Sequence, residues 1–201
     1  MAWKSPNIYM PLMPTVKLQL EGNWSTAISA IEGVPQAIQK GYDTAMSKIS
    51  HQILQVITEV IDNGGPDGDK WEPLADSTLE SYVSHKVPTT GQPWNRTGQL
   101  RNSISIYRYG KRTYIGVKRN SRPNYSAYTN QVSLTFTQIA RILEYGVMGQ
   151  PFIPARPLFA PSLQAWAKGK TPNERIKKDI LAEVKKQLKV LGFKPTQVAY
   201  D

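Results

Sequence analysis

The sequence predicts an α+β fold in which a long N-terminal helix packs on a small, mainly antiparallel sheet, with additional short helices and an amphipathic C-terminal helix. Two helical apolar stripes, one in the first third of the chain and one near its end, and two alternating runs around Gly110 lead to this class. The 201 residues suit a single domain. We divide the chain into an extended arm (1–14), one α+β domain (15–168), and a C-terminal helix and tail (169–201).

The N-terminal elements follow from prolines, glycines and alternation. Residues 1–14 hold three prolines and no regular period, which is typical of an extended arm. Residues 16–20 alternate apolar and polar and predict a short strand. A short helix over 26–32 is expected to stop at Gly33, and Pro35 then suits the first turn of a long helix ending near Ile61, because a first-turn proline loses no hydrogen bond.

The middle of the chain predicts short helices around a β-hairpin. Residues 78–85 carry a helical step after a capping signal. The alternating runs 103–109 and 113–118 flank a short glycine-containing turn and predict two antiparallel strands. Helices are expected over 132–143, ending at the glycine that follows, and over 158–168.

The last helix has a complete start signal. Thr171 is the expected cap, Pro172 lies in the first turn, and Glu174 occupies the capping-box position. The apolar positions from Ile176 to Leu191 form one stripe with lysines on its flanks. This pattern is typical of a helix docked on the protein surface; binding to a membrane surface or a calmodulin-like groove is the alternative.

Charge is unevenly distributed along the chain. The net charge is +10, from 25 Lys/Arg and 15 Asp/Glu. Residues 1–70 hold five basic against seven acidic residues (−2), residues 71–131 nine against three (+6), and residues 132–201 eleven against five (+6). This asymmetry indicates a polyanion or an acidic partner; a solvated basic face is the alternative.

The most basic stretch is 108–122, where cations alternate with tyrosines. Such a hairpin can follow a phosphate backbone and stack bases, or its tyrosines can simply support cross-strand packing. We take five residues as candidate contacts for DNA or an acidic partner: Lys111, Arg112, Lys118, Arg119 and Arg122.

Enzymatic and membrane functions have little support. Cysteine is absent and only His51 and His85 are present, so thiolate chemistry and multi-histidine metal sites are not expected. Nucleotide-binding, metalloprotease and hydrolase motifs are also absent. No apolar run approaches the ~20 residues of a membrane-spanning helix. We therefore assign no catalytic residue, cofactor, metal or membrane partner.

Several motifs in a fixed order carry a family signal. They are W-E-P-L (71–74) with T-L (78–79), R-T-G-Q-L-R-N-S-I (96–104), Y-I-G-V (114–117), I-A-R-I-L-E-Y-G (139–146) and I-P-A-R-P-L-F (153–159). This order resembles the tail-completion and virion-morphogenesis proteins of tailed bacteriophages, a group that includes neck proteins. The likeness covers roughly residues 15–165.

The resemblance implies a structural virion protein at the head–tail junction, assembled in the host cytoplasm, that forms a ring and joins or terminates the tail. A hexamer is expected, with a dodecamer as the alternative. The implied neighbours are a head-side connector or adaptor and tail proteins, with packaged DNA as a candidate contact in the lumen. The alternative function is a sequence-tolerant nucleic-acid-binding module using the basic hairpin 108–122.

Within the motifs, Thr97 is expected to cap a helical turn, Gly98 to allow a tight approach and Leu100 to enter the core. Arg156, on a proline-stiffened ribbon, is expected to clamp a carboxylate or backbone carbonyls. That clamp lies either between subunits or within the chain. The candidate inter-subunit contacts, taken from the arm and this ribbon, are Trp3, Tyr9, Phe152, Ile153 and Arg156.

Overall fold

The computed structural model describes residues 24–66, 70–84, 86, 89–110, 112–123, 134–149 and 152–193. The predicted arm, the strand over 16–20 and Lys111 lie outside these ranges. The described residues form six helices and one two-stranded antiparallel sheet, which confirms the α+β class. None of these helices combines the length and apolarity needed to cross a bilayer. In chain order the elements are α1 (Trp24–Asp62), α2 (Asp76–Ser84), α3 (Gln99–Ser103), β1 (Ile104–Tyr109), β2 (Arg112–Val117), α4 (Phe136–Tyr145), α5 (Phe159–Ala167) and α6 (Pro172–Val190).

The first helix is continuous, so the predicted break at Gly33 and restart at Pro35 are wrong. Both residues lie inside α1, whose 39 residues span about 58 Å. Pro35 has no N–H to donate to the carbonyl of Ile31. Packing against α6 compensates for this missing hydrogen bond. The two helices run alongside each other, and a Cβ placed on Gly33 would lie 3.3 Å from a methyl carbon of Leu191.

The crossing of α1 and α6 is close because of one glycine. A Cβ on Gly41 would lie 2.7 Å from the Cα of Val184, so only glycine lets the two backbones approach at this point. The Lys48 ammonium contacts a carboxylate oxygen of Glu183 at 2.9 Å and holds the pKa of Glu183 below its usual range. The C-terminal helix is therefore docked on the main body, as its apolar stripe predicted.

The predicted hairpin is confirmed. Strands β1 and β2 pair antiparallel from Ile104 opposite Val117 to Tyr109 opposite Arg112. The sheet and α5 lie on the C-terminal half of α1, and α4 packs against β2 and α3. The core that they enclose contains, among others, Ile49, Ile53, Ile57, Ile61, Trp71, Trp94, Leu100, Ile104, Phe136, Leu143, Leu158 and Trp166.

Two helix starts show how capping fixes boundaries. Helix α6 begins with the predicted capping box of Thr171 and Glu174. Helix α4 begins at Phe136 rather than at residue 132, because Thr135 and Gln138 form a second capping box that sets the boundary.

Candidate subunit-contact site

Arg156 is the centre of a buried cluster that joins distant segments of the chain. Its side chain is almost fully buried. Its Nε donates to the carbonyl of Glu72 at 2.9 Å and its Nη2 to the carbonyl of Pro73 at 3.0 Å. Its backbone N–H donates to the carbonyl of Leu143 at 2.6 Å. Burial lowers the pKa of Arg156 and the charge of Glu72 opposes this, but a guanidinium stays protonated at neutral pH.

Two tryptophans hold the ribbon that carries Arg156. The indole N–H of Trp94 donates to the carbonyl of Arg156 at 2.9 Å, and that of Trp71 to the carbonyl of Pro157 at 3.1 Å. Their ring centroids lie 6.2 Å apart, and Trp94 meets Phe159 edge to face at 5.9 Å. Because both rings are buried and both indole N–H groups are bonded, the ribbon is fixed by packing and polar contacts together.

The end of α4 enters the same cluster through Glu144 and Gly146. A carboxylate oxygen of Glu144 accepts from the backbone N–H of Leu158 at 2.8 Å. Gly146 has φ +71°, and a Cβ there would lie 2.7 Å from the carbonyl oxygen of Ile153 and 2.8 Å from the backbone nitrogen of Ala155. Glycine is therefore required twice, by backbone conformation and by space.

The cluster supports a short loop that exposes large apolar side chains. Val147 and Ile153 exchange two backbone hydrogen bonds of 2.8 and 3.1 Å, which close the base of the loop. Met148 and Phe152 lie at the next positions outward. Tyr145 is 76% exposed, Met148 91% and Phe152 64%. We call Tyr145, Met148 and Phe152 the loop patch.

The candidate inter-subunit residues differ in how accessible they are to a second subunit. Phe152 is exposed and available for contact, whereas Ile153 is half-buried and its backbone is bonded to Val147. Arg156 as a direct contact between subunits is wrong, because its guanidinium is buried and bonded to two carbonyls of its own chain. This is the intramolecular form of the expected clamp. Trp3 and Tyr9 lie outside the described residues.

Thr97 of the R-T-G-Q-L motif is not the helix cap that the sequence predicted. The N-cap of α3 is Gly98, which has φ +77° and offers no side-chain cap, so Thr97 does not cap the helix. A Cβ on Gly98 would have no neighbour nearer than 3.7 Å, so the glycine provides a left-handed backbone rather than a tight approach. Leu100 is buried in the core as predicted.

An ion pair that the sequence did not predict joins the end of α1 to α3. Arg101 donates from Nε and Nη2 to the two carboxylate oxygens of Asp62, at 2.7 and 2.6 Å. This bidentate contact lowers the pKa of Asp62 and raises that of Arg101. No local sequence signal marks the pair, because its members lie 39 positions apart.

The predicted basic cluster is divided between two ends of the hairpin. Arg112 begins β2 at the tip, whereas Lys118, Arg119 and Arg122 follow its other end, so about 20 Å of strand separates the two groups. The described candidate cations therefore form two groups, one at the hairpin tip and one in the segment that follows β2. All four are exposed, and none of them forms an ion pair with another described residue. The rings of Tyr109 and Tyr114 meet edge to face at 6.0 Å, which favours the cross-strand role of the tyrosines.

Within the described part of the chain, no group of three or more histidine, aspartate or glutamate side chains could hold a metal ion. Comparisons of this chain with protein-family models, characterised proteins and solved structures find no match. The site is therefore interpreted from its own geometry: a rigid cluster beneath an exposed apolar surface.

Proposed function

We propose that this chain is a structural virion protein of a tailed bacteriophage, acting at the head–tail junction as a neck or tail-completion protein. It assembles as a ring that joins or terminates the tail. The observation that carries the proposal is the Arg156 cluster. Three of the five motifs that give the family resemblance, 71–74, 139–146 and 153–159, meet there around one buried guanidinium and support the exposed loop patch.

Leaving the apolar side chains of the loop patch in water costs free energy. Exposed apolar surface loses about 25 cal/mol per Å² of stabilisation relative to buried surface. Tyr145, Met148 and Phe152 are each more than half exposed. Tyr145 is the last residue of α4, and Met148 and Phe152 lie on a loop whose base is fixed by hydrogen bonds. A surface that is rigid before binding loses little conformational entropy on association. Both features favour a protein–protein contact.

Six copies are the proposed ring size, with twelve as the alternative. Head-side connector or adaptor proteins and tail proteins are the proposed neighbours, and DNA in the lumen is a further candidate contact. The exposed Lys118, Arg119 and Arg122 would face the lumen or an acidic neighbour.

Light scattering and negative-stain electron microscopy of the purified protein test the assembly. We expect one discrete species whose mass is six or twelve times that of the 22.6 kDa chain, with annular particles on the grid. A chain that stays monomeric in solution and in its native particle would contradict the proposal.

The second candidate function is a sequence-tolerant nucleic-acid-binding module. It is favoured by the exposure of Arg112, Lys118, Arg119 and Arg122 without an ion pair among the described residues. If this function holds, affinity for single-stranded DNA falls steeply as the salt concentration rises. Replacing Arg119 and Arg122 with glutamine should then lower the slope of log affinity against log salt by the amount expected for about two phosphate contacts. A monomer that binds DNA in this way would favour the second candidate over the ring.

A further inference from the structure

The N-terminal half of α1 exposes a second apolar surface, separate from the loop patch. Ile28 is 53% exposed, Ile31 63% and Ile38 45%. At 100° per residue these three positions lie within an arc of about 80° on one side of the helix. We call them the helix stripe.

The helix stripe continues the side of α1 that faces the core. Further along the helix, Ile49 and Ile53 lie on this same side and are buried. Among the described residues, Gly110 and Thr113 at the tip of the hairpin line a small groove together with residues 39–46 of α1. The stripe is therefore the part of a core-facing surface that extends beyond the sheet covering it.

The helix stripe and the loop patch lie toward opposite ends of α1. About 36 Å of helix separates Ile38 from Asp62. The ribbon behind the loop patch is bonded to the segment that follows α1, through Arg156 to Glu72 and through Trp71 to Pro157. Two different apolar surfaces at opposite ends of one chain suit a head-to-tail contact, which closes into a ring when the rotation between copies permits.

The exposed area favours pairing the two surfaces with each other. The helix stripe and the loop patch together expose on the order of 900 Å², most of the ~1,200 Å² at the lower end of specific interfaces. Two helix stripes facing each other would offer only about 600 Å² by the same reckoning. A symmetric contact between stripes is therefore too small to be stable alone. Two loop patches facing each other would offer about 1,200 Å² by the same reckoning, but that contact ends at two copies and leaves both helix stripes in water, so it cannot build a ring. Within a ring, the area therefore favours a helix stripe against a loop patch.

Charged residues of opposite sign flank the two surfaces. The exposed carboxylates of Glu32 and Asp43 lie on the flank of the helix stripe. Lys118, Arg119 and Arg122 lie beside the start of α4, the helix that ends at the loop patch; Ser121 accepts from the backbone N–H of Phe136 at 2.8 Å. Opposite charges around two apolar surfaces orient an encounter between copies.

We infer that the helix stripe of one copy receives the loop patch of the next copy. The inference rests on the proposed ring, and it names the two surfaces that form its repeating contact. Each copy then uses both surfaces, one toward each neighbour.

Two charge substitutions test this contact. Ile31→Asp disables the helix stripe and leaves the loop patch intact, whereas Phe152→Asp does the reverse. Val83→Asp is the matched control, because Val83 is 75% exposed on α2 and belongs to neither surface. Each protein is measured alone and in an equimolar mixture by light scattering, and the folding of each is checked by thermal unfolding.

The expected pattern is specific to a head-to-tail contact. Wild type and Val83→Asp assemble, and each of the two interface variants is monomeric. Their mixture forms a dimer containing one copy of each and nothing larger, because only one intact stripe and one intact loop patch remain to meet.

The other outcomes overturn the inference in distinguishable ways. If wild type assembles and Ile31→Asp or Phe152→Asp still does so alone, or if their mixture stays monomeric, the ring stands but this contact is wrong. If Ile31→Asp unfolds at a much lower temperature than Phe152→Asp, the stripe is covered within its own chain and the contact is also wrong. A wild-type chain that is monomeric at every concentration overturns both the contact and the ring.

Discussion

The close crossing of α1 and α6 predicts opposite effects for the same substitution at two glycines of one helix. Alanine is favoured over glycine in a helix interior by about 1 kcal/mol. At Gly41, however, the new Cβ would lie 2.7 Å from the Cα of Val184, a backbone atom that cannot rotate away. Overpacking of this kind costs about 1–3 kcal/mol. We therefore expect Gly41→Ala to destabilise the fold by about 1 kcal/mol after the gain in helix propensity.

Gly33→Ala is the matched variant. Its Cβ would meet the side-chain carbons of Leu191 at 3.3 and 3.4 Å, and a leucine side chain can shift by a few tenths of an ångström. Most of the propensity gain is kept, so we expect stabilisation of about 0.5 kcal/mol.

Thermal unfolding followed by circular dichroism, at one fixed protein concentration, measures both glycine variants. For a chain of this size 1 kcal/mol corresponds to about 2–4 °C. The two variants should differ by roughly 3–6 °C, with Gly41→Ala the lower. Equal stabilisation by both substitutions would refute a backbone contact at Gly41, and with it the docking geometry of α6.

Three further predictions concern the buried cluster and its surroundings. Arg156→Met keeps the aliphatic stem but removes both donors to buried carbonyls, so unfolding free energy should fall by about 2–4 kcal/mol in urea denaturation. Asp62→Asn should cost at most about 1 kcal/mol at neutral pH, because the pair with Arg101 is partly exposed. The pair with Arg101 lowers the folded-state pKa of Asp62. The stability that the pair contributes is therefore present above the unfolded pKa near 4 and is lost as the pH falls through the folded-state pKa. Gly146→Ala should destabilise the chain by several kcal/mol and release the loop closed by Ile153, lowering ring assembly in light scattering.

Each of these predictions has a matched control. Arg141→Met removes an exposed arginine from α4 and should change stability by less than about 0.5 kcal/mol. Asp43→Asn removes another exposed carboxylate of α1 and should change stability at neutral pH by less than about 0.5 kcal/mol. Gly110→Ala introduces a side chain at φ +58° with no atom within 4 Å, so it measures backbone strain without a clash. A cluster variant that behaves like its control would contradict the role given to that residue.

Elements that depend only on residues close together in the chain were predicted correctly from the sequence. The hairpin followed from alternation around Gly110, and the start of α6 followed from Thr171 and Glu174, because a capping box needs only neighbouring residues. The burial of Leu100 was also predicted from its motif. In the site, Phe152 is exposed, as a contact with a second subunit requires, whereas Ile153 is half-buried.

Tertiary contacts determined what the sequence could not predict. Gly33 and Pro35 indicated a helix boundary, but contact with α6 along the same stretch keeps α1 continuous. The choice between an interface clamp and an internal clamp at Arg156 depended on carbonyls more than eighty positions away. The separation of the basic residues depended on the length of β2, which places Arg112 and Lys118 at opposite ends.

The most direct test of the proposed function is electron microscopy of a phage lysate made without this protein. If the proposed function holds, a nonsense mutation in the gene for this chain should yield filled phage heads and separate tails in place of joined particles. Adding the purified wild-type chain to that lysate should restore joined, infectious virions, whereas Phe152→Asp should restore few. Joined and infectious particles in the lysate that lacks the protein would contradict a role at the head–tail junction.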